Sequence, residues 1–365
     1  MRKLIILIFL LSCFNSFSQK PILSDTVYVQ ELRNRINDLY NFDFDDCDSV
    51  YESMSKTYPN HPFPDLYYSL VLYWKYFPIT TASYHEPEFL SKLNRSIGKA
   101  EKYFEEKETD ESVFFNLMGR MLIMQYYADN QASSNVISQL KPSYKMLVKG
   151  FDLQDSFNDF KFSSGVYNYY REFYPKTHPI YKPIAYFFPK GNAKKGIKLL
   201  ENNSKHGTFL HKESLSFLVY ISMYFEQDYK KTLKYSRNLS KDNPNNLLYQ
   251  SYYIQTLLLQ KKYNKAENLI PQLTNQKHTN DFFIALSHVY LGLIAEKKEK
   301  NFREAKNHYL KSLQLLTNYG EFANTYNSIA YFGLSRIYSN SDIKKSNSYR
   351  KKANKLIIFP NINFD

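Results

Sequence analysis

In the second half of the chain a five-residue pattern recurs: a polar residue, a large apolar one, two polar residues, then a small one. It reads DYKKT at Tyr229 and Thr232, KYNKA at Tyr263 and Ala266, NFREA at Phe302 and Ala305, and DIKKS at Ile343 and Ser346. The large residues step by 34, 39 and 41 positions. Apolar residues continue each copy at helical spacing, with Tyr309 four after Ala305 and Ile270 four after Ala266, so that one stripe of a helix can be buried. Upstream, Leu291-Gly292 and Leu334-Ser335 place a small residue where a preceding helix would approach its partner closely. Pro244, in KDNPNN, cannot continue a helix and marks a turn.

The same offsets appear earlier in the chain. Phe44, Cys47, Tyr51, Met54 and Pro59 repeat the arrangement, Ile97, Ala100 and Phe104 keep its large, small, large spacing, and Gly196 with Leu200 does so again. Met118-Gly119 and Ser164-Gly165 match the close-packing position of first helices. The spacing predicts an all-α solenoid of about seven or eight antiparallel helical hairpins between about residues 28 and 357, since such units bury their faces only by stacking. In this register Cys47 is a small buried side chain and not a nucleophile.

Composition agrees with helices. Glycine is scarce, at 10 of 365 residues, and alternating Val, Ile and Thr runs are hard to find. Residues 1–19, MRKLIILIFLLSCFNSFSQ, set Arg2 and Lys3 before an apolar run of 8 residues and end on small polar ones. That is a secretory signal pattern, since a membrane span needs about 20 apolar residues. An exported protein of the periplasm or cell envelope is expected, with no transmembrane helix in the mature chain. Leu10-Leu11-Ser12-Cys13 resembles a bacterial lipobox, which makes Cys13 a candidate lipidation site, whereas the FSQ ending is an ordinary cleavage site before Lys20. Both routes stay open. If Cys13 leaves with the signal, Cys47 is the single cysteine and no intrachain disulfide can form. The net charge of +13 comes from lysines spread over many segments and mixed with acids, so nucleic acid is not an expected partner.

Residues 213–357 resemble a tetratricopeptide repeat array, on the four motif copies quoted above. The segment FSSGVYNYYREFYPKTHPIYKPIAYFFPKGNAKKGIKLLE resembles a subgroup with an aromatic helix, a proline-broken stretch and a Gly-Lys-rich turn. The resemblance implies a right-handed superhelix that binds a protein or peptide on a concave face lined by the first helix of each hairpin. Carried over residue by residue, that groove is Phe217, Ile221 and Tyr224, then Ser251, Gln255 and Leu258, then Val289, Leu293 and Glu296, then Phe332 and Arg336. Family members that clamp a C-terminal carboxylate use Lys and Asn at places held here by Phe217, Ser251, Val289 and Phe332, which argues against an acidic chaperone tail. The expected organisation is a signal over 1–19, degenerate hairpins over 20–160, a junction over 161–195, an array over 196–357 and a tail over 358–365.

That junction is rich in rings and prolines. Tyr167, Tyr170, Tyr174, Tyr181 and Phe187 form a candidate aromatic platform among Pro175, Pro179, Pro183 and Pro189, which predict an irregular insertion or kinked short helices. With Arg171, Lys176, Lys182 and Lys190 the platform would suit acidic glycans or peptides, so a glycan- or lipid-handling accessory is the second functional reading.

Catalytic and cofactor patterns do not emerge. Asp43, Asp45, Asp46 and Asp48 lack the central glycine of a calcium loop and suit a helix start instead. GNAKKGIK places Ile197 where a phosphate loop needs lysine. The eight histidines are scattered, and His206 and His211 are five apart, off the step that shares a helical face. A non-enzymatic scaffold without cofactor or metal is the expectation.

Overall fold

The computed structural model describes residues 21–177, 182–357, 359, 362, 364 and 365. These residues form an all-α solenoid of neighbouring helical pairs. The first half comprises α1 (Thr26–Tyr40), α2 (Cys47–Thr57), α3 (Phe63–Lys75), α4 (Glu86–Glu106), α5 (Asp110–Asp129), α6 (Ser133–Asp152), α7 (Phe160–Thr177), the single turn α8 (Lys182–Ala185) and α9 (Ala193–His206). The second half comprises α10 (His211–Tyr220), α11 (Tyr229–Asp242), α12 (Leu247–Leu259), α13 (Tyr263–Leu269), α14 (Asp281–Ile294), α15 (Phe302–Leu315), α16 (Asn324–Tyr338) and α17 (Ile343–Leu356). No described helix is long and apolar enough to cross a membrane.

The recurring motif has a local physical basis. Its leading polar residue is the N-cap of a second helix: Asp228, Asn301 and Asp342 each accept a hydrogen bond from the backbone N–H three residues on. The residue before the cap position is left-handed at Gln131, Gln227, Lys261 and Lys300, with φ of 53–57°, so one turn geometry is reused at four hairpins. The small residue is the buried one. Thr232, Ala266 and Ala305 are fully buried and Ser346 nearly so, whereas Phe302 and Ile343 lie mostly in solvent. Smallness lets the second helix close on the first, and polar contacts join them where both sides carry hydroxyls: Thr232 Oγ1 donates to Ser222 Oγ at 3.0 Å, and Ser335 and Ser346 meet at 3.2 Å.

Glycine serves the same end around Tyr309. A Cβ added at Gly292 or Gly333 would fall 2.6 or 2.2 Å from that ring, which therefore fills the space between α14 and α16. The junction expected over 161–195 is not a break in the stack. Helix α7 continues through Pro175 and pairs with α9, because Gly165 and Gly196 let the backbones touch: a Cβ on Gly196 would lie 2.7 Å from the Gly165 carbonyl oxygen. Packing outweighs the local proline signal. The loop beyond is pinned by Arg171, which donates to the Phe188 carbonyl at 2.9 Å, and by Tyr167, which donates to the Pro189 carbonyl at 2.7 Å.

Residues 40–77 of the first half meet residues 245–283 of the second across the inner face. Trp74 packs edge-on against Tyr249 at 5.8 Å, and Phe77 lies 6.0 Å from Phe282 and 6.2 Å from Phe283. Asn246 donates from Nδ2 to the Tyr40 carbonyl at 2.9 Å, Asn280 to the Phe77 carbonyl at 2.8 Å, and Lys277 pairs with Asp45 at 2.5 Å. Asn246 is fully buried and also accepts from the Tyr249 N–H at 3.1 Å, so it caps α12 and holds the seam at once. Asn246→Ala should lower unfolding stability by about 1–3 kcal/mol in urea melts followed by Trp74 emission. Asn245→Ala should change little, because its seam bond is made by the backbone N–H. An unaltered midpoint for Asn246→Ala would show that the seam is held elsewhere.

Candidate functional site

First helices supply the inner face, and tyrosine is the residue they place there. Tyr40 comes from α1, Tyr73 from α3, Tyr220 from α10, Tyr249 and Tyr252 from α12, Tyr290 from α14 and Tyr326 from α16. Tyr249 is in electrostatic reach of Tyr40, Tyr73 and Tyr252, while Tyr252 reaches Tyr73, Tyr220, Tyr224 and Tyr326, so the rings form one continuous string. Burial holds the hydroxyls of Tyr40, Tyr73, Tyr224, Tyr249, Tyr252 and Tyr290 far above their ordinary range, and they stay neutral donors and acceptors.

One end of the string is acidic. The Tyr40 hydroxyl bonds Glu213 and the Tyr73 hydroxyl bonds Asp129, which also accepts from Gln125 Nε2 at 2.6 Å. Burial lifts Asp129 from 3.8 to about 7; burial and then the charge of Asp129 lift Glu213 from 4.5 to about 7. Both side chains nevertheless keep intermediate surface exposure, as does Tyr252. Glu213 Oε2 and the hydroxyl of the fully buried Tyr249 have no hydrogen-bond partner.

The other end is covered by the residues after α17. Phe359 stacks on Tyr224 at 4.7 Å and meets Phe225 at 5.4 Å and Tyr220 at 5.9 Å. Ile362 is buried, and Asp365 pairs with Arg336 at 3.0 Å. Arg336 also donates to Glu296, from Nε at 2.6 Å and Nη2 at 3.0 Å, and Tyr309 donates to the same carboxylate at 2.7 Å. Burial alone would raise Glu296, but the Arg336 guanidinium more than offsets it and holds the carboxyl below its ordinary range. Both helices here widen into π turns, Ile221–Phe225 after α10 and Ala295–Glu299 after α14, which present Tyr224 and Glu296 inward.

Of the groove positions read from the sequence, Ile221, Tyr224, Ser251, Gln255, Leu258, Val289, Leu293 and Glu296 are buried, and Phe359 stacks over Tyr224. Phe217, Phe332 and Arg336 keep intermediate exposure. Some of these residues do meet: Tyr224 donates to Gln255 Oε1 at 3.2 Å, and Glu296 pairs with Arg336. The aromatic platform is dispersed. Tyr170 packs on Phe217 and Phe225, Tyr167 is tied to the loop, and Phe187 is 81 % exposed beside Tyr186 at 87 %. Tyr181, the side chain of Tyr174 and Cys13 lie outside the described residues.

Cys47 is buried and accepts from the Tyr67 hydroxyl at 3.5 Å, as its register predicts. Asp46 occupies the N-cap position of α2 and Asp48 its first turn, and GNAKKGIK opens α9 with Asn192 as cap. Sequence reasoning missed the pairing of His288 with His308, whose Nδ1 atoms are 2.8 Å apart. It also missed Asp129 and Glu213. The available signal was an acid at the edge of an otherwise apolar first helix, in MLIMQYYAD and ESLSFLVYIS.

The raised carboxyls make a signed prediction. Between their ordinary values and about 7, native Asp129 and Glu213 hold protons that the unfolded chain has released, so their contribution to stability falls as pH rises through that window. Asp65, Glu111 and Glu296, held below their ordinary range, act oppositely and only in more acid solution. The double variant Asp129→Asn, Glu213→Gln should therefore raise Tm clearly more at pH 8 than at pH 5, and leave it nearly unchanged only below the ordinary carboxyl range. Equal shifts at both pH values would place the two acids in water.

No protein-family model matches the chain, and no curated protein shows significant similarity to it.

Proposed function

We propose that this chain is an exported, non-enzymatic scaffold of the cell envelope, of tetratricopeptide type, which holds an extended peptide segment of a partner protein on the inner face of its stack. The observation that carries this reading is the placement of the chain's own Phe359, Ile362 and Asp365, which sit as residues of such a peptide would. An aromatic ring enters a pocket of three rings, an apolar residue is buried further on, and an acid pairs with a guanidinium. Ring stacking supplies affinity at about 0.5–1.5 kcal/mol per pair, and the charged end sets direction. A cis-bound segment lowers the apparent affinity for any competitor by the fraction of time it is seated.

The test is a labelled peptide of residues 357–365 titrated against the intact chain and against a chain ending at Ile357, with fluorescence anisotropy as readout. The shortened chain should bind it roughly tenfold or more tightly than the intact one. Phe359→Ala in the peptide, or Arg336→Gln in the protein, should each weaken binding. A folded, shortened chain that ignores the peptide would end this proposal.

A second reading, a glycan-handling accessory, is favoured by one observation. Tyr186 and Phe187 stand edge-on at 6.1 Å with both rings in solvent. Exposed ring pairs suit the apolar faces of sugars. Replacing both by alanine should abolish binding of soluble envelope glycans under this reading and leave peptide binding intact under the first.

A further inference from the structure

We infer that the acidic end of the tyrosine string is a binding site for a primary ammonium group, formed by Asp129, Glu213, Tyr40, Tyr73, Tyr249 and Tyr252. The inference goes beyond peptide binding and uses the opposite end of the string. Two half-buried carboxyls, on the last residue of α5 and the first turn of α10, bond the hydroxyls of Tyr73 and Tyr40, and the rings of Tyr40, Tyr73 and Tyr249 gather around Trp74 at 5.8, 5.4 and 5.8 Å. Two other buried carboxylates have cations: Asp65 has Arg95 and Lys99, and Glu296 has Arg336. For Asp129 and Glu213, no lysine, arginine or histidine among the described residues perturbs either group. Their neighbours are Gln125 on α5, Tyr40 on α1, Tyr73 on α3 and Tyr249 on α12. The next acid, Asp159, acts on Tyr40 but is saturated by the N–H groups of Thr208, Phe209 and Leu210 at 3.2, 2.8 and 3.2 Å.

A buried charge is stable only when paired and hydrogen-bonded. Here protons neutralise the two acids until a cation displaces them, and the unpartnered atoms say which kind of cation fits. Glu213 Oε2 can only accept from a donor when ionised, and the Tyr249 hydroxyl can accept as well. An ammonium with three N–H donors serves both atoms and Asp129 together. A quaternary ammonium has no N–H to give, although the tyrosine faces would attract it. A neutral polyol leaves the carboxyls without countercharge. No group of three metal-ligating side chains occurs among the described residues, so a metal ion would have only two carboxylates. Asp129 closes α5, where free carbonyls favour a cation, and Glu213 opens α10, where free N–H groups favour its carboxylate form.

The experiment is calorimetric titration of the intact chain with n-butylammonium chloride, beside tetramethylammonium chloride and n-butanol, at pH 6 and pH 8. One saturable site for butylammonium is expected, tighter at pH 8, with protons released at pH 6 and detected by comparing buffers of different ionisation heat. Asp129→Asn and Glu213→Gln should each weaken binding by roughly tenfold or more, as loss of one partner of a buried charge pair does. The site is overturned by the absence of a saturable heat, by tetramethylammonium or butanol binding equally well, or by variants that bind unchanged. Should a variant fail to fold, the native chain decides alone: binding at pH 6 without proton release overturns the assignment. Peptide binding to the shortened chain is unaffected by any of these outcomes.

Discussion

Where Phe42, Trp74 and Phe77 meet Tyr249, Phe282 and Phe283, helices from opposite halves of the chain shield each other's inner faces. An open solenoid would leave those faces in water and could make them polar. Once the N-terminal hairpins lie against α12 and α14, these first helices must be apolar on nearly every side, and both are buried around most of their circumference. Polar atoms on such helices can no longer rely on water. Each must find a protein partner, take a proton or await a ligand, and so closure of the seam determines where chemistry can reside.

The same constraint separates two kinds of buried acid. Glu296 receives three hydrogen bonds from Arg336 and Tyr309 and also lies 3.3 Å from Lys297, which together offset its desolvation. Glu111 is similarly satisfied, by His61 at 2.9 Å, the Leu23 N–H at 2.6 Å and Tyr103 at 3.1 Å. Those clusters bind elements together and leave little to offer a ligand. Asp129 and Glu213 have hydroxyl and amide partners but no cation, and their carboxyls titrate near neutrality. In a low-dielectric interior the difference between a paired and an unpaired carboxylate amounts to several kcal/mol in general, which distinguishes structural acids from those poised for a ligand.

Much of the fold was legible because stacking imposes a local rule. A side-chain cap and a small buried residue recur in DYKKT, NFREA and DIKKS, and the first two also follow a left-handed residue, Gln227 or Lys300. Gly292 could be read as a close-packing position from its place before Phe302 and Ala305. Gly333, one residue before the Leu334-Ser335 pair, also faces the Tyr309 ring. The inner face was legible as to which helices supply it and not as to its state. Nothing in the spacing of Ser251, Gln255 or Leu258 encodes that α3 lies across from α12, since that contact joins residues far apart in sequence. Pro175 does not end α7 for a related reason: Gly165 and Gly196 let α7 pack closely on α9, and the interruption comes later, at the single turn α8.

The charge balance leads to the same region by a different route. Most ion pairs of the chain are surface pairs such as Lys102 with Glu106 or Lys345 with Asp342, which are screened and contribute little. A net charge of +13 spread in that way attracts anions weakly and without geometry. Inside, the sign reverses, with two acids and a wall of tyrosine hydroxyls set where screening is least. Interactions on the inner face are the ones that water does not dilute, so under the proposed reading selectivity rests there and not on the lysines that dominate the exterior.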